Sequence, residues 1–162
     1  MKFGLQKGSK MAELNHDFLV INTGSYSLDK YQEYQSSDRV EIHDDLLHYF
    51  GDTLLWISAF NPSLKKKCRG LCWYGVTMIT IEGIDKTKSI FNGWLRLLSE
   101  GPDILTLHGE FSWNEGKSPQ TGSYNKLSFN QSEIIRELEK LISYCDIVRN
   151  GNGTKCLLHL GI

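Results

Sequence analysis

Across residues 103–114, Leu105, Leu107, Gly109, Phe111 and Trp113 alternate with Thr106, His108, Glu110 and Ser112. A period of two predicts a strand with one buried and one wet face. Residues 124–129 predict a shorter partner, with Leu127 and Phe129 inward. After Asn130 the period lengthens. Ile134, Ile135, Leu138, Leu141, Ile142 and Cys145 form one helical stripe, and Asn130 with Glu133 reads as a capping pair at its start. A second helix is predicted from Ile84, Thr87, Phe91, Trp94, Leu95 and Leu98, with Asp85 as its cap and Gly101-Pro102 as its stop.

Elsewhere the apolar runs are shorter. Residues 18–22 read as a strand broken by Thr23-Gly24. Residues 44–50 read as a short helix capped by Asp44 or Asp45 and followed by Gly51. Runs 53–60 and 71–81 predict two strands paired across a basic loop at 63–70, and 155–162 predicts the last strand. Residues 26–39 are polar and tyrosine-rich and predict no element; residues 1–13 read as a frayed leader. The pattern gives an α+β fold within one domain: a two-layer sandwich, with helices packed on one face of a mainly antiparallel sheet and the other face at least partly open.

Composition narrows the function. The 162-residue chain is 40% apolar and 23% charged, ordinary values for a globular protein, and its net charge of -1 argues against a general nucleic-acid binder. It holds four cysteines, no signal-like apolar run near its start and no membrane-length apolar stretch. Reduced thiols in a cytoplasm are therefore expected. The charge is uneven: residues 11–60 carry nine acids against two bases, while 61–100 carry seven bases against three acids. The acidic third is either a solvated surface or a face complementary to a basic partner.

The segment EGKSPQTGSY contains Gly116-Lys117-Ser118, the ending of a phosphate-binding loop. Such a loop needs a glycine where this chain has Phe111, and it must run into a helix, which Pro119 and the following strand preclude. The triplet belongs to a strand connection at 114–122, a candidate contact surface. His108 and Glu110 share a wet face. If the last strand lies in the same sheet, His159 points outward beside them, with Tyr124 and Lys126. That set suits acid–base work, or is simply a solvated sheet face. Cys68 and Cys72 lack zinc-site spacing, and His43 and His48 do not share a helical face, so neither metal nor cofactor is expected. Lys65, Lys66, Lys67 and Arg69 form the strongest basic cluster, either a nucleic-acid contact or a solvated hairpin tip, and Trp56 and Trp73 are expected to fill the core.

Its size, acidic segment, tryptophan-rich α+β core (Trp56, Trp73, Trp94, Trp113) and lack of a catalytic motif give the chain a family likeness. Over residues 44–162 it resembles the small bacterial immunity proteins of contact-dependent inhibition and related polymorphic toxin systems. The resemblance implies a cognate protein toxin, often a basic nuclease, neutralised by occlusion of its active site, with no nucleic-acid or membrane partner. Glu41, Asp44, Asp45 and Asp52 would then face the toxin, with Glu115 and Lys117 of the connecting loop supplying further contacts. Two alternatives stand beside it: a small hydrolase or ligand-binding enzyme using His108, Glu110, Tyr124, Lys126 and His159, and a nucleic-acid-binding module using the 65–69 loop.

Overall fold

The computed structural model describes residues 14–113 and 116–162; the leader expected over 1–13 and Glu115 lie outside the described residues. In chain order the strands are β1 (Asn15–Asn22), β2 (Val40–His43), β3 (Ser58–Asn61), β4 (Lys66–Arg69), β5 (Val76–Ile79), β6 (Ile104–Ser112), β7 (Ser123–Asn130) and β8 (Lys155–Leu160). The helices are α1 (Tyr31–Ser36), α2 (Asp44–Tyr49), α3 (Gly51–Leu54), α4 (Ile81–Ser99) and α5 (Gln131–Asn150). Six strands form one antiparallel sheet in the order β2-β1-β8-β5-β3-β4, and β6 and β7 form a separate hairpin.

The fold is the expected α+β sandwich. The stripes of α4 and α5 bury Phe91, Trp94, Leu138 and Leu141 in one cluster with Phe18, Ile79 and Leu157 of the sheet. Asn130 caps α5 by accepting the Glu133 N–H, and the Gln131 amide closes the end of α4 by donating to the Leu98, Ser99 and Gly101 carbonyls. The opposite sheet face is less open than its pattern suggests. Leu19, Val76, Met78, Cys156, Leu158 and Leu160 are buried there with Tyr34 of α1.

β8 lies at the centre of the sheet, hydrogen-bonded to β1 on one side and β5 on the other. Both of its faces are covered, so the expectation that His159 points to solvent fails: its side chain is fully buried against Phe18, with ring centroids 4.9 Å apart. Alternation had suggested one wet face, but a central strand covered on both sides has none.

The run 53–60 is not a single strand. Consecutive turns from Phe50 through Ile57 form α3 and leave Trp56 59% exposed, outside the core where it was expected. The second run shortens to β5 because residues 71–75 form a loop, tied by the Cys72 N–H donating to Thr77 Oγ1 at 2.7 Å. The basic segment contains β4, an edge strand paired with β3. α4 begins at Ile81, four residues before the expected Asp85 cap.

The hairpin carries a bulge. His108 pairs with Lys126, but Phe111 pairs with Tyr124, so β6 has one extra residue in this interval. The bulge moves Phe111 off the inward face assigned to it by alternation and onto the His108–Lys126 face, where it is 41% exposed. The strands close beyond it because position 122 is glycine: a Cβ there would lie 2.6 Å from both Phe111 Cζ and the Ser112 carbonyl oxygen.

Candidate functional site

Asp44 opens α2, and its backbone N–H donates to the Leu14 carbonyl. It does not cap the helix. His43 does, its Nδ1 accepting the Asp45 N–H at 3.2 Å. The Asp44 carboxylate is therefore free to reach across the fold. His16 Nε2 lies 2.8 Å from Oδ1; His48 Nδ1 hydrogen-bonds the Asp44 backbone carbonyl at 3.2 Å and lies 3.2 Å from Oδ2. Behind His16, its Nδ1 meets His159 Nε2 at 2.8 Å, and His159 Nδ1 faces Thr77 Oγ1 at 3.4 Å. In front of His48, the Trp73 indole N–H donates to His48 Nε2 at 2.6 Å.

The polarity of this chain follows from what each group can do. An indole is only a donor, so His48 Nε2 is unprotonated and its proton sits on Nδ1, facing Asp44. An ionised carboxylate is only an acceptor, so His16 carries its proton on Nε2. Its Nδ1 then accepts from His159 Nε2–H, and His159 Nδ1 accepts from the Thr77 hydroxyl. Donors run inward from both ends to Asp44, His16 to its carboxylate and His48 to its backbone carbonyl, and every ring nitrogen of the three histidines is used. Burial pushes the proton affinity of His16 below the ordinary imidazole range, opposed by its hydrogen bond to Asp44. Burial, reinforced by His16, pushes His159 well below it. Both effects favour the neutral rings that the geometry requires.

The hub lies beside a cleft. Asp44, Asp45, His48 and Tyr49 of α2 line one wall, and His108, Glu110, Asn125 and Lys126 of the hairpin line the other, enclosing about 850 Å³. A second groove continues past Asp45 and Lys126 to Glu41, Arg39 and the start of α5. Two sets of candidates that read as rivals along the chain thus meet: Asp44 and Asp45 line one cleft with His108, Glu110 and Lys126, and Glu41 lines the adjoining groove with Asp45 and Lys126. At α2 the cleft holds three carboxylates against one lysine. The bulge arranges an aromatic row along the hairpin. His108 stacks on Tyr124 at 5.6 Å, Tyr124 meets Phe111 at 5.2 Å, and Phe111 meets Trp113 at 6.0 Å. Phe111, Trp113 and Tyr124 are exposed.

Other candidates fall elsewhere. His159 is sealed in the main sheet and does not join His108 and Glu110. Asp52 is exposed on α3, away from the residues lining the cleft. Glu41 is held by Arg39 Nη2 at 2.6 Å. Lys117 is exposed in the turn between β6 and β7, next to Glu115, which lies outside the described residues. Lys67 pairs with Glu82 at 2.9 Å on the sheet edge. Trp73, expected as core, is half-buried: it packs against the main hydrophobic cluster and meets His48 and His16 at its edge. Among the described residues no group of three or more His, Cys, Asp or Glu is placed to hold a metal ion, and no helix is long and apolar enough to cross a membrane. None of the four cysteines is bridged.

Sequence reading passed over His16 and Thr77, and took Trp73 as core without its polar contact. For His16 a signal was present: it shares the inward period of Phe18 and Val20 in β1, an uncommon place for a histidine without a polar partner. Against protein-family models, curated proteins and solved structures, the chain has no match.

Proposed function

We propose that the chain is an immunity-type binding protein that neutralises a basic protein toxin by seating a cationic part of it in the α2–hairpin cleft. The observation that carries this reading is the facing of Asp45 and Glu110 across one cleft whose hairpin wall continues into the row His108, Tyr124, Phe111 and Trp113. Carboxylates on both walls complement a basic surface and speed its encounter. Exposed aromatic side chains are the usual energetic anchors of an interface. The hydrolase alternative loses support because His159 is buried in the main sheet and does not join His108 and Glu110 on the hairpin.

The test is growth. The C-terminal domain of the protein encoded beside this one is expressed alone and together with this chain. Arrested growth restored by this chain supports the reading, and the double reversal Asp45→Lys with Glu110→Lys should abolish rescue while leaving the fold intact. A harmless neighbour, or rescue unaffected by the reversal, overturns it.

A further inference from the structure

The bond between Trp73 and His48 has a chemical asymmetry. His48 accepts through Nε2 only while that nitrogen is bare, and the indole offers nothing but a donor. Adding a proton to His48 sets N–H against N–H across 2.6 Å, with no alternative pairing for either ring, because the other nitrogen of His48 already faces Asp44. His16 has an escape that His48 lacks. On protonation of His16, His159 can move its proton to Nδ1 and donate to Thr77. The strained partner in acid is therefore Trp73. Its backbone is pinned, since the Trp73 carbonyl accepts the Ile162 N–H at 3.0 Å and Gly161 packs against that carbonyl so closely that a Cβ would overlap it; the response falls on the side chain, which is half-buried at the edge of the main hydrophobic cluster.

We propose that the Trp73 indole is a proton-operated lid, held shut over His16 by neutral His48 and released when His48 gains a proton. The shut indole lies against the His16 ring, with centroids 5.0 Å apart, and His48 stands at the cleft wall with 43% of its side chain exposed, open to protons. The charged and titratable groups that face His48 are Asp44, Asp45 and Tyr49 on α2, His16 on β1, and His108, Glu110 and Lys126 on the hairpin. When the indole leaves, the buried His16–His159 pair meets solvent. This device goes beyond the docking proposal and is read in the free protein, so neither stands on the other.

The test follows indole N–H resonances by NMR across a pH series from about 7.5 to about 5.0, with the His48 ring followed in the same samples. Trp73→Phe identifies the Trp73 signal by its loss. The expected result is a Trp73 N–H whose protection from solvent exchange falls at least about tenfold in step with the His48 ring titration, the response of a bond lost on one protonation. The Trp94 N–H is the internal control, because it donates to the Thr53 hydroxyl at 3.1 Å, which does not titrate, and must stay protected throughout. In His48→Gln the side-chain oxygen still accepts but does not titrate, so Trp73 should stay protected across the whole range. The lid is overturned if Trp73 protection is unchanged while His48 titrates, if the step persists in His48→Gln, or if Trp94 loses protection together with Trp73.

Discussion

His16 Nδ1 and His159 Nε2 lie 2.8 Å apart in a site closed to solvent. One proton sits between them, and both rings are neutral when the chain of donors ending at Asp44 is complete. In the unfolded chain each imidazole takes up a proton near pH 6.5. In the folded chain burial holds both affinities lower. Between those limits the unfolded state binds more protons, so stability rises with pH. It is therefore lost as pH falls below about 6.5, by up to about 1.4 kcal/mol per pH unit for each group. Urea unfolding from pH 8 to 5 should show a midpoint that is flat at the alkaline end and falls in acid. Replacing His159 with a non-titrating residue should flatten that slope even if it lowers overall stability. A midpoint constant down to pH 5 contradicts the assignment.

The Asp44 carboxylate takes the His16 N–H on Oδ1, while His48 donates to the Asp44 backbone carbonyl with Oδ2 lying beside the same N–H at 3.2 Å. Asp44→Asn keeps the size but replaces one acceptor with an NH₂ group. With its oxygen toward His16 the amide sets its NH₂ group about where Oδ2 was, 3.2 Å from the His48 Nδ1–H; turned the other way it sets NH₂ against the His16 N–H. The variant should lose about 1–3 kcal/mol in chemical denaturation, approaching Asp44→Ala, because a buried group is left unsatisfied. If Asp44→Asn is as stable as the parent, the inward polarity of the chain is wrong.

The elements legible in the sequence were those whose pattern one face decides. The stripes of α4 and α5 and the Asn130 cap are where periodicity puts them, because a long amphipathic helix against a sheet has a single solution. Where two influences meet, the pattern misleads. His159 alternates like a surface residue, but its strand is central. Phe111 alternates like a core residue, but the bulge shifts it by one; Gly109, lying between His108 and Phe111, was the available hint. The Asp44 hub joins β1, β5, β8, α2 and the 71–75 loop, residues far apart in sequence and close only after folding. No spacing rule reports a site of that kind.

Thiol chemistry should separate the cysteines. Burial pushes the Cys145 thiol up to about 12 and the Cys156 thiol up to about 11, and both are closed to solvent. Cys68 and Cys72 are half-buried. At pH 8 the first pair has little thiolate, the reactive form, and no access for reagent. Labelling the native protein with a maleimide, followed by mass mapping, should modify Cys68 and Cys72 first and reach Cys145 and Cys156 only on unfolding. Early labelling of Cys145 would show that α5 leaves the sheet more readily than its packing implies.

The aromatic row makes a claim that binding can check independently of charge. Trp113→Ala and Tyr124→Ala remove exposed rings, 52% and 60% accessible, so neither should move the thermal midpoint much. If the row anchors a partner, each should weaken capture of that partner by about thirtyfold or more, the effect of losing about 2 kcal/mol at an interface anchor. Isothermal titration against the neighbouring toxin domain measures this. Unchanged affinity in both variants would remove the hairpin from the interface.

Two glycines in one helix should respond to alanine with opposite sign. Gly83 lies in the first turn of α4 and is buried. A Cβ there would run into the Ser58 carbonyl of β3, which is backbone and has nowhere to retreat. Gly93 lies in the same helix with nothing within 4 Å of its would-be Cβ. Alanine costs less conformational entropy than glycine to hold in a helix, so Gly93→Ala should stabilise by about 0.4–1 kcal/mol. Gly83→Ala receives the same gain but forces helix and strand apart, at a cost of about 1–3 kcal/mol or more. The two urea midpoints should therefore fall on either side of the parent. If Gly83→Ala is also stabilised, α4 does not approach β3 as closely as its first turn requires, and the early start of the helix at Ile81 loses its physical reason.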